Sequence, residues 1–246
     1  MGMRSRKRDI SGCIDTAVTV LAVVSHFWDM VCSLLCMAAS HDAQPPVSTM
    51  RITDYDIAGR PRPGDLAKFS APLSDVLTDE LDEAQRTLGI PTEEIVLAAV
   101  GRTIARTIGE GYVAVDFTGA EHAASALALC CAAPEHTSAS QMLVTVHREL
   151  SAAPRRDLTQ PAEVLISYRG SAPELANFNH PLEIRVFRDG GLLHLEWSYD
   201  SRQFAPYTVE ELTEQFPFAL IELTSEATPE LVGNAGMDIA VGAFGR

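Results

Sequence analysis

Basic residues are scarce in this sequence. Its 246 residues hold 19 Lys and Arg against 33 Asp and Glu, which gives a formal net charge of −14 and a pI near 4.8. A surface that binds nucleic-acid phosphates needs clustered Lys and Arg. Such a cluster occurs only at the extreme N-terminus, as Arg4, Arg6, Lys7 and Arg8. We therefore expect no nucleic-acid partner.

Cysteine is also sparse, and its positions form no metal-binding pattern. There is no CxxC pair and no His at ligand spacing from a Cys, so we expect no metal site. Cys32 and Cys36 lie in an apolar run, where we interpret them as small buried hydrophobic residues. An odd number of cysteines without a disulfide framework indicates a reducing compartment, and a cytoplasmic protein is the first expectation. The five are Cys13, Cys32, Cys36, Cys130 and Cys131.

Several catalytic signatures are missing as well. The sequence contains neither GxxxxGK[ST] nor GxGxxG, which argues against a nucleotide cofactor, and no GxSxG that would mark a nucleophilic serine. The weak catalytic candidates are Glu121 and His122, an acid beside a histidine after the end of a predicted strand. A solvated pair in a loop is the favoured alternative. Asp116, inside that strand, is either a buried partner of another group or an exposed residue on the polar face, and the exposed position is the favoured interpretation.

The first 49 residues differ from the rest of the chain. A basic start precedes a mostly apolar run at residues 10–39, which Asp15, His26 and Asp29 interrupt. Three interpretations stay open: an extension outside the fold, a packed amphipathic helix, or a secretion or membrane signal. The last would make the protein membrane-associated. The longest uninterrupted apolar piece, residues 16–25, is shorter than the roughly 20 residues that a spanning helix needs.

Residues 50–228 have the pattern of a folded domain, and residues 229–246 that of a flexible Gly-rich tail. The clearest element of the 50–228 domain is a hairpin at residues 180–200, in which two runs of alternating apolar and polar residues flank Asp189-Gly190-Gly191. Trp197 and Tyr199 would pack beneath a helix, with His194 on the opposite face. The other predicted strands are at 51–57, 112–117, 127–132 and 162–168. The predicted helices are at 78–88, 91–109, 138–152 and from Thr208 onward. The last helix is predicted to begin with a capping box at Thr208 and to kink or break at Pro217.

These elements predict an α/β sandwich with a mixed sheet and helices mainly on one face. Several segments, in this order, resemble the C-terminal lobe of the condensation and epimerisation domains of nonribosomal peptide synthetases. Residues 180–200 (HPLEIRVFRDGGLLHLEWSYD) are the most specific segment. The others are PTEEIVLAAVGRTIARTIG at 91–109, YVAVDFTG at 112–119, ISYRG at 166–170 and the helix at 207–223.

The resemblance implies a chloramphenicol-acetyltransferase-like fold, of which this chain would form a single lobe. The family's catalytic HHxxxDG motif belongs to the other lobe. None of the seven histidines here is adjacent to another or followed by Asp four residues later. Residues 118–122 (TGAEH) stand where the epimerisation motif EGHGR is expected, so the acid and the histidine are out of register.

We therefore expect a protein that is related to secondary metabolite biosynthesis and is catalytically incomplete as an isolated chain. It would act by binding a synthetase, a carrier protein or a complementary N-terminal lobe, or by self-association. The alternative is half of an acyl- or aminoacyl-transferring or epimerising enzyme whose HHxxxD lobe another chain supplies. No bound cofactor is expected, because a phosphopantetheinyl carrier protein would be a partner.

Overall fold

The computed structural model describes residues 48–119, 124–153, 162–169 and 180–227. Six strands form one sheet in the order β1-β6-β5-β4-β2-β3. β4 runs parallel to β2 and β5, and the other neighbouring strands are antiparallel. The elements are β1 (Leu66–Pro72), α1 (Asp75–Leu88), α2 (Thr92–Thr107), β2 (Gly111–Thr118), β3 (Ser125–Cys131), α3 (Ala139–Ala152), β4 (Val164–Arg169), β5 (Leu182–Asp189), β6 (Leu192–Asp200) and α4 (Pro206–Glu226), with a 3₁₀ turn at Pro63–Asp65.

The helices share one core with alternate residues of the sheet. In β5, Leu182, Ile184 and Val186 are buried with the apolar residues of the helices, whereas the residues between them point to the other face. The sheet is mixed and the helices cover one face, which confirms the predicted α/β architecture.

The predicted hairpin is confirmed in position and register. β5 and β6 are joined by Gly190 and Gly191, whose φ angles of 57° and 89° are both positive. Two positive φ values in a two-residue connection are the geometry that matches the twist of the flanking strands. Ile184 faces Trp197 across the pair.

Aromatic residues of β6 pack under α4, as the alternation predicts. The Trp197 and Phe216 rings meet edge to face with centroids 6.2 Å apart. Tyr199 meets Phe204 in a similar arrangement and stacks on Phe69 of β1, with centroid distances of 6.4 and 6.0 Å. These contacts fix the hairpin against the C-terminal helix.

The strand predicted at residues 51–57 is wrong, and an unpredicted strand, β1, lies along the edge of β6. The first segment is irregular, with Ile52 buried and the Tyr55 N–H donating to the carbonyl of Gln203 at 3.0 Å. Ala67, Phe69 and Ala71 lie on one side of β1, and Phe69 is the only large side chain among them, so the alternation gives little signal.

The C-terminal helix also differs from its prediction. It begins at Pro206 with Ala205 as the N-cap, so Thr208 lies inside the first turn and caps nothing. The helix continues through Pro217 to Glu226, and the expected break is absent. An interior proline costs about 3 kcal/mol. Phe216 beside it is about 1% exposed, and burial of this large side chain offsets part of that cost.

The interpretations of the N- and C-terminal segments fall almost entirely outside the described residues. Of residues 1–49, Ser48 and Thr49 are described, and both bond to the part of β2 that precedes its pairing with β4. Thr49 N–H donates to the Tyr112 carbonyl at 2.9 Å, and Ser48 Oγ accepts from the Ala114 N–H at 3.0 Å. No helix in the part of the chain that the structure describes is long and apolar enough to cross a membrane.

Candidate functional site

Glu121 and His122, the predicted catalytic candidates, lie outside the described residues. The chain is described up to Gly119, whose backbone packs against Glu93 at the start of α2. A Cβ built on Gly119 would lie 2.5 Å from Glu93 Oε1, so a larger residue here would require the Glu93 side chain to move. The Glu93 carboxylate thus lies where β2 leads toward the two candidates.

The first turn of α2 buries two carboxylates. Glu93 and Glu94 are 2% and 1% exposed. Glu94 Oε2 lies 2.9 Å from His147 Nδ1 on α3. The free N–H groups and the dipole of a helix N-terminus stabilise negative charge, which favours acidic residues at this position. This pair ties α2 to α3.

Asp116 forms the main unpredicted feature of the site. It is fully buried, so the expectation of an exposed polar residue is wrong. Its Oδ2 lies 2.9 Å from Nε2 of His180 and accepts a bond of the same length from the Ala162 N–H. His180 is 4% exposed and stands just before β5. An Asp–His pair therefore joins the middle of β2 to the entry of the hairpin.

The pair continues as a chain of charges over the sheet face away from the helices. His180 Nδ1 lies 3.8 Å from Glu183 Oε1, beyond hydrogen-bonding distance. Glu183 Oε2 accepts from Arg185 Nη2 at 2.9 Å. Arg185 Nη1 lies 3.4 Å from Glu196 Oε1, and Lys68 Nζ lies 3.0 Å from the other oxygen of Glu196. Charges of opposite sign alternate from β5 through β6 to the edge strand β1.

Two carboxylates favour the charged form of His180. Burial lowers the pKa of the imidazole, but the interactions with Asp116 and Glu183 outweigh it and raise the pKa above its usual value. His180 is thus a buried imidazole between two acids that both favour its protonated form. Such a group can store or transfer a proton.

A cavity of about 440 Å³ adjoins this pair. Its lining includes His180, Glu163, Asp200 and the irregular loop around Arg60. Burial raises the pKa of Glu163. Burial also opposes ionisation of Asp200, but hydrogen bonds from Arg202 and Gln203 lower its pKa overall. Residues that start β4 and β5 and end β6 thus converge on one polar opening.

The remaining described histidines are apart from this site. His136 pairs with Glu110 at 2.8 Å near the surface. His194 stacks on Phe187 with centroids 5.3 Å apart, on the face opposite Trp197 as predicted. Among the described residues no three His, Cys, Asp or Glu side chains are grouped as metal ligands would be.

Sequence reasoning missed the Asp–His pair although each residue gave a partial signal. Asp116 stands between Val115 and Phe117, on the polar side of an otherwise apolar strand. His180 immediately precedes the hairpin. The two residues are 64 positions apart, and their pairing depends on the parallel arrangement of β2, β4 and β5.

Comparison with curated proteins gives relatives among polyketide synthase components, although no family model matches the chain. One component of the phenolphthiocerol/phthiocerol polyketide synthase of Mycobacterium tuberculosis is 30% identical over 223 residues, which cover 68% of this chain and 15% of that protein. The protein of the same name from Mycobacterium bovis matches equally. The chain spans about 15% of the length of these curated relatives.

Solved structures with the same fold are condensation-type domains. The epimerization domain from the third module of tyrocidine synthetase B aligns with a TM-score of 0.56 and 14% identity, over 78% of this chain and 52% of that one. The EpoB cyclization-docking bidomain from Sorangium cellulosum gives 0.60 and 14%, over 76% and 47%. The condensation domain of the monacolin K polyketide synthase MokA gives 0.56 and 12%, over 85% and 60%.

At these identities the solved structures establish the fold, and they agree with the resemblance carried by residues 180–200. The alignments cover between 47% and 60% of each solved chain. This chain therefore has the fold of the condensation and epimerisation domains of nonribosomal peptide synthetases, over about half the length of such a domain.

Proposed function

We propose that this protein is a condensation-type lobe that works by binding a partner in a peptide or polyketide synthetase system. The observation that carries the proposal is the lack of adjacent histidines anywhere in the sequence, so that no HHxxxD motif exists on this chain. The histidine of that motif positions or deprotonates the attacking group in the family that the sequence resembles. A chain without it needs that group from elsewhere.

The described histidines support the proposal. His136, His147 and His180 each lie beside a carboxylate, and His194 lies against an aromatic ring. The expected partners are a synthetase, a carrier protein, a complementary lobe that carries HHxxxD, or a second copy of the chain. We further propose a cytoplasmic location. If residues 10–39 instead anchor the protein, the full-length chain will sediment with membranes and a variant that begins at Met50 will not.

The test combines a binding assay with a transfer assay. A carrier protein bearing a labelled aminoacyl group is mixed with the full chain, alone and together with a separate lobe that contains HHxxxD. We expect binding to the carrier or to the lobe, and no product from this chain alone. Product formed by the chain alone would overturn the proposal, as would failure to bind any of the candidate partners or itself.

The second candidate function is half of an enzyme, and the Asp116–His180 pair beside the cavity favours it. In an assembled pair of lobes, His180 would hold or move a proton at the cavity wall. We expect His180→Gln to lower the rate of the complemented reaction by about 10²- to 10⁴-fold, the usual contribution of a general acid or base. His194→Gln, on the same side of the sheet, is the matched control.

The pH–rate profile distinguishes a catalytic role of His180 from a structural one. If the residue transfers a proton, His180→Gln removes one limb of the pH–rate profile, whereas simple loss of folded protein scales the whole profile. Equal rates for His180→Gln and His194→Gln would reject the enzymatic role.

A further inference from the structure

We propose that the outer face of α4, together with the groove between α4 and α1, docks a Lys- and Arg-bearing amphipathic helix of a partner protein. The inference rests on the proposed function, since it gives the chemistry of the partner through which the lobe acts. We call this surface the α1–α4 face and define it by Glu80 and Glu83 of α1 together with Tyr207, Glu211, Glu214, Phe218 and Ile221 of α4.

The face contains a regular stripe of exposed residues along α4. Tyr207, Glu211, Glu214, Phe218 and Ile221 follow one another at spacings of four, three, four and three, which keeps them on one side of a helix. Tyr207 is 66%, Phe218 57% and Ile221 40% exposed. Large aromatic side chains that project from a rigid helix are typical anchors of protein interfaces.

A groove of about 310 Å³ adjoins the stripe. Ile221 on α4 lines it, and Glu80, Glu83 and Leu88 of α1 form the other wall. Its lining combines the buried side chains of Ala84 and Leu88 with exposed carboxylates and with the hydroxyl groups of Thr87, Thr224 and Ser225. A groove with apolar and acidic lining can receive the apolar side of a basic helix.

The charge of this surface selects the partner. α4 contains five Glu and no Lys or Arg. Of these, Glu222 is buried against arginines, and the other four are exposed. On α1, Arg86 pairs with Glu83, and Glu80 adds a further exposed negative charge. A basic partner is attracted to such a surface, whereas an acidic protein or an anionic membrane is repelled.

The helical form of the partner follows from the stripe. Residues at alternating spacings of three and four meet a partner helix whose own apolar residues repeat every 3.5 positions. Lys or Arg beside that apolar seam would then reach the carboxylates of Glu80, Glu211 and Glu214. The proposed occupant is therefore a basic helix with a narrow apolar stripe.

A pair of synthetic peptides tests the inference. One peptide, about 20 residues long, carries Leu at heptad positions a and d and Lys at e and g; the other has Glu in place of each Lys. Binding to the full-length chain is measured by fluorescence anisotropy at about 50 mM NaCl and again at about 500 mM. We expect the Lys peptide to bind at least about tenfold more tightly than the Glu peptide, and high salt to reduce the difference.

Substitutions locate the site. Phe218→Ala combined with Ile221→Ser should weaken the Lys peptide by about tenfold or more, as expected when anchor residues are truncated. Tyr55→Ala, which removes another half-exposed aromatic ring outside the face, should leave binding unchanged. Glu80→Lys combined with Glu214→Lys should shift the preference toward the Glu peptide. All these side chains are exposed, so thermal melting should change little.

Several outcomes would overturn the inference: equal binding of the two peptides, no binding of the Lys peptide, or binding that the Phe218 and Ile221 substitutions leave intact. Dimerisation that depends on Phe218, measured by sedimentation, would assign the face to a second copy of the chain instead. Failure here is distinguishable from failure of the proposed function. If a lobe or carrier still binds the Phe218→Ala/Ile221→Ser variant, only the proposed docking site is rejected. If the Lys peptide binds but no synthetase partner does, only the proposed function is rejected.

Discussion

Replacing Glu222 with alanine tests how α4 is held to the rest of the fold. Glu222 lies between two arginines of α2 and is shielded from solvent. Its Oε1 is 3.0 Å from Arg102 Nε, and its Oε2 is 2.5 Å from Arg106 Nη2. Arg102 is itself fully buried and also donates to the carbonyls of Ala132 and Thr137. One carboxylate thus neutralises a buried cation that connects α2 to the segment before α3.

The expected loss of stability follows from this burial. Burial lowers the pKa of Arg102, while Glu222 raises it and opposes that effect. Removing one partner of a buried ion pair leaves an uncompensated charge and typically costs about 3–5 kcal/mol. This is a large part of the roughly 5–15 kcal/mol by which domains are stable. Glu222→Gln removes the charge but keeps an oxygen that can accept, so we expect a smaller loss.

Urea unfolding followed by circular dichroism measures the effect. The matched control is Glu83→Ala, which breaks the Glu83–Arg86 pair on the surface of α1, where the side chains are 62% and 68% exposed. Surface pairs contribute about 0–1 kcal/mol. The midpoint should fall strongly for Glu222→Ala and little for the control, with similar slopes. Losses of equal size in the two variants would refute the reasoning that burial makes Glu222 necessary.

Two further predictions concern the sheet and its helices. The folded-state pKa of His180 is raised, so its stabilising contribution is complete below its ordinary pKa near 6.5 and is lost as pH rises through the folded value. Wild type should therefore lose more unfolding free energy above pH ~6.5 than the Asp116→Asn variant. Equal pH dependence of the two proteins in urea titrations would contradict this. The His136→Gln variant is the control, because Glu110 also raises the pKa of the exposed His136. Gly101→Ala should destabilise by about 1–2 kcal/mol, because overpacking costs about 1–3 kcal/mol and helix propensity returns up to about 1 kcal/mol. The Cβ added at residue 101 would lie 2.5 Å from the Cys130 carbonyl oxygen of β3. A variant that is more stable than wild type in urea unfolding would contradict this prediction and show that β3 moves freely.

Local patterns were enough to predict the elements whose side chains contact their own neighbours. The hairpin was predicted from strict alternation around Asp189-Gly190-Gly191, and its turn requires two positive φ angles. Ser138 was predicted at the boundary of α3, and it caps that helix by accepting from the Gln141 N–H. Both signals act over a few residues, so one sequence is sufficient to detect them.

Elements that depend on distant partners could not be predicted in the same way. β1 is a strand because its backbone pairs with β6, about 130 residues later, and Phe69 is the only large side chain on its core side. Asp116 lies at a position of β2 where the alternation of apolar and polar residues places a polar side chain. Alternation alone does not indicate whether that polar face of the strand is exposed or buried. The answer depended on His180 and on the N–H of Ala162, both supplied by other segments.

The protonation of His180 links the fold to the choice between the two functions. A general base must be neutral to accept a proton, and Asp116 and Glu183 both favour the protonated form of His180. In the isolated chain His180 therefore acts mainly as a tie between β2 and the hairpin. Chemistry at the cavity would require a partner that changes the field around the pair, for instance by neutralising Glu183. The enzymatic alternative thus also depends on a second chain, and the binding step comes first in either case.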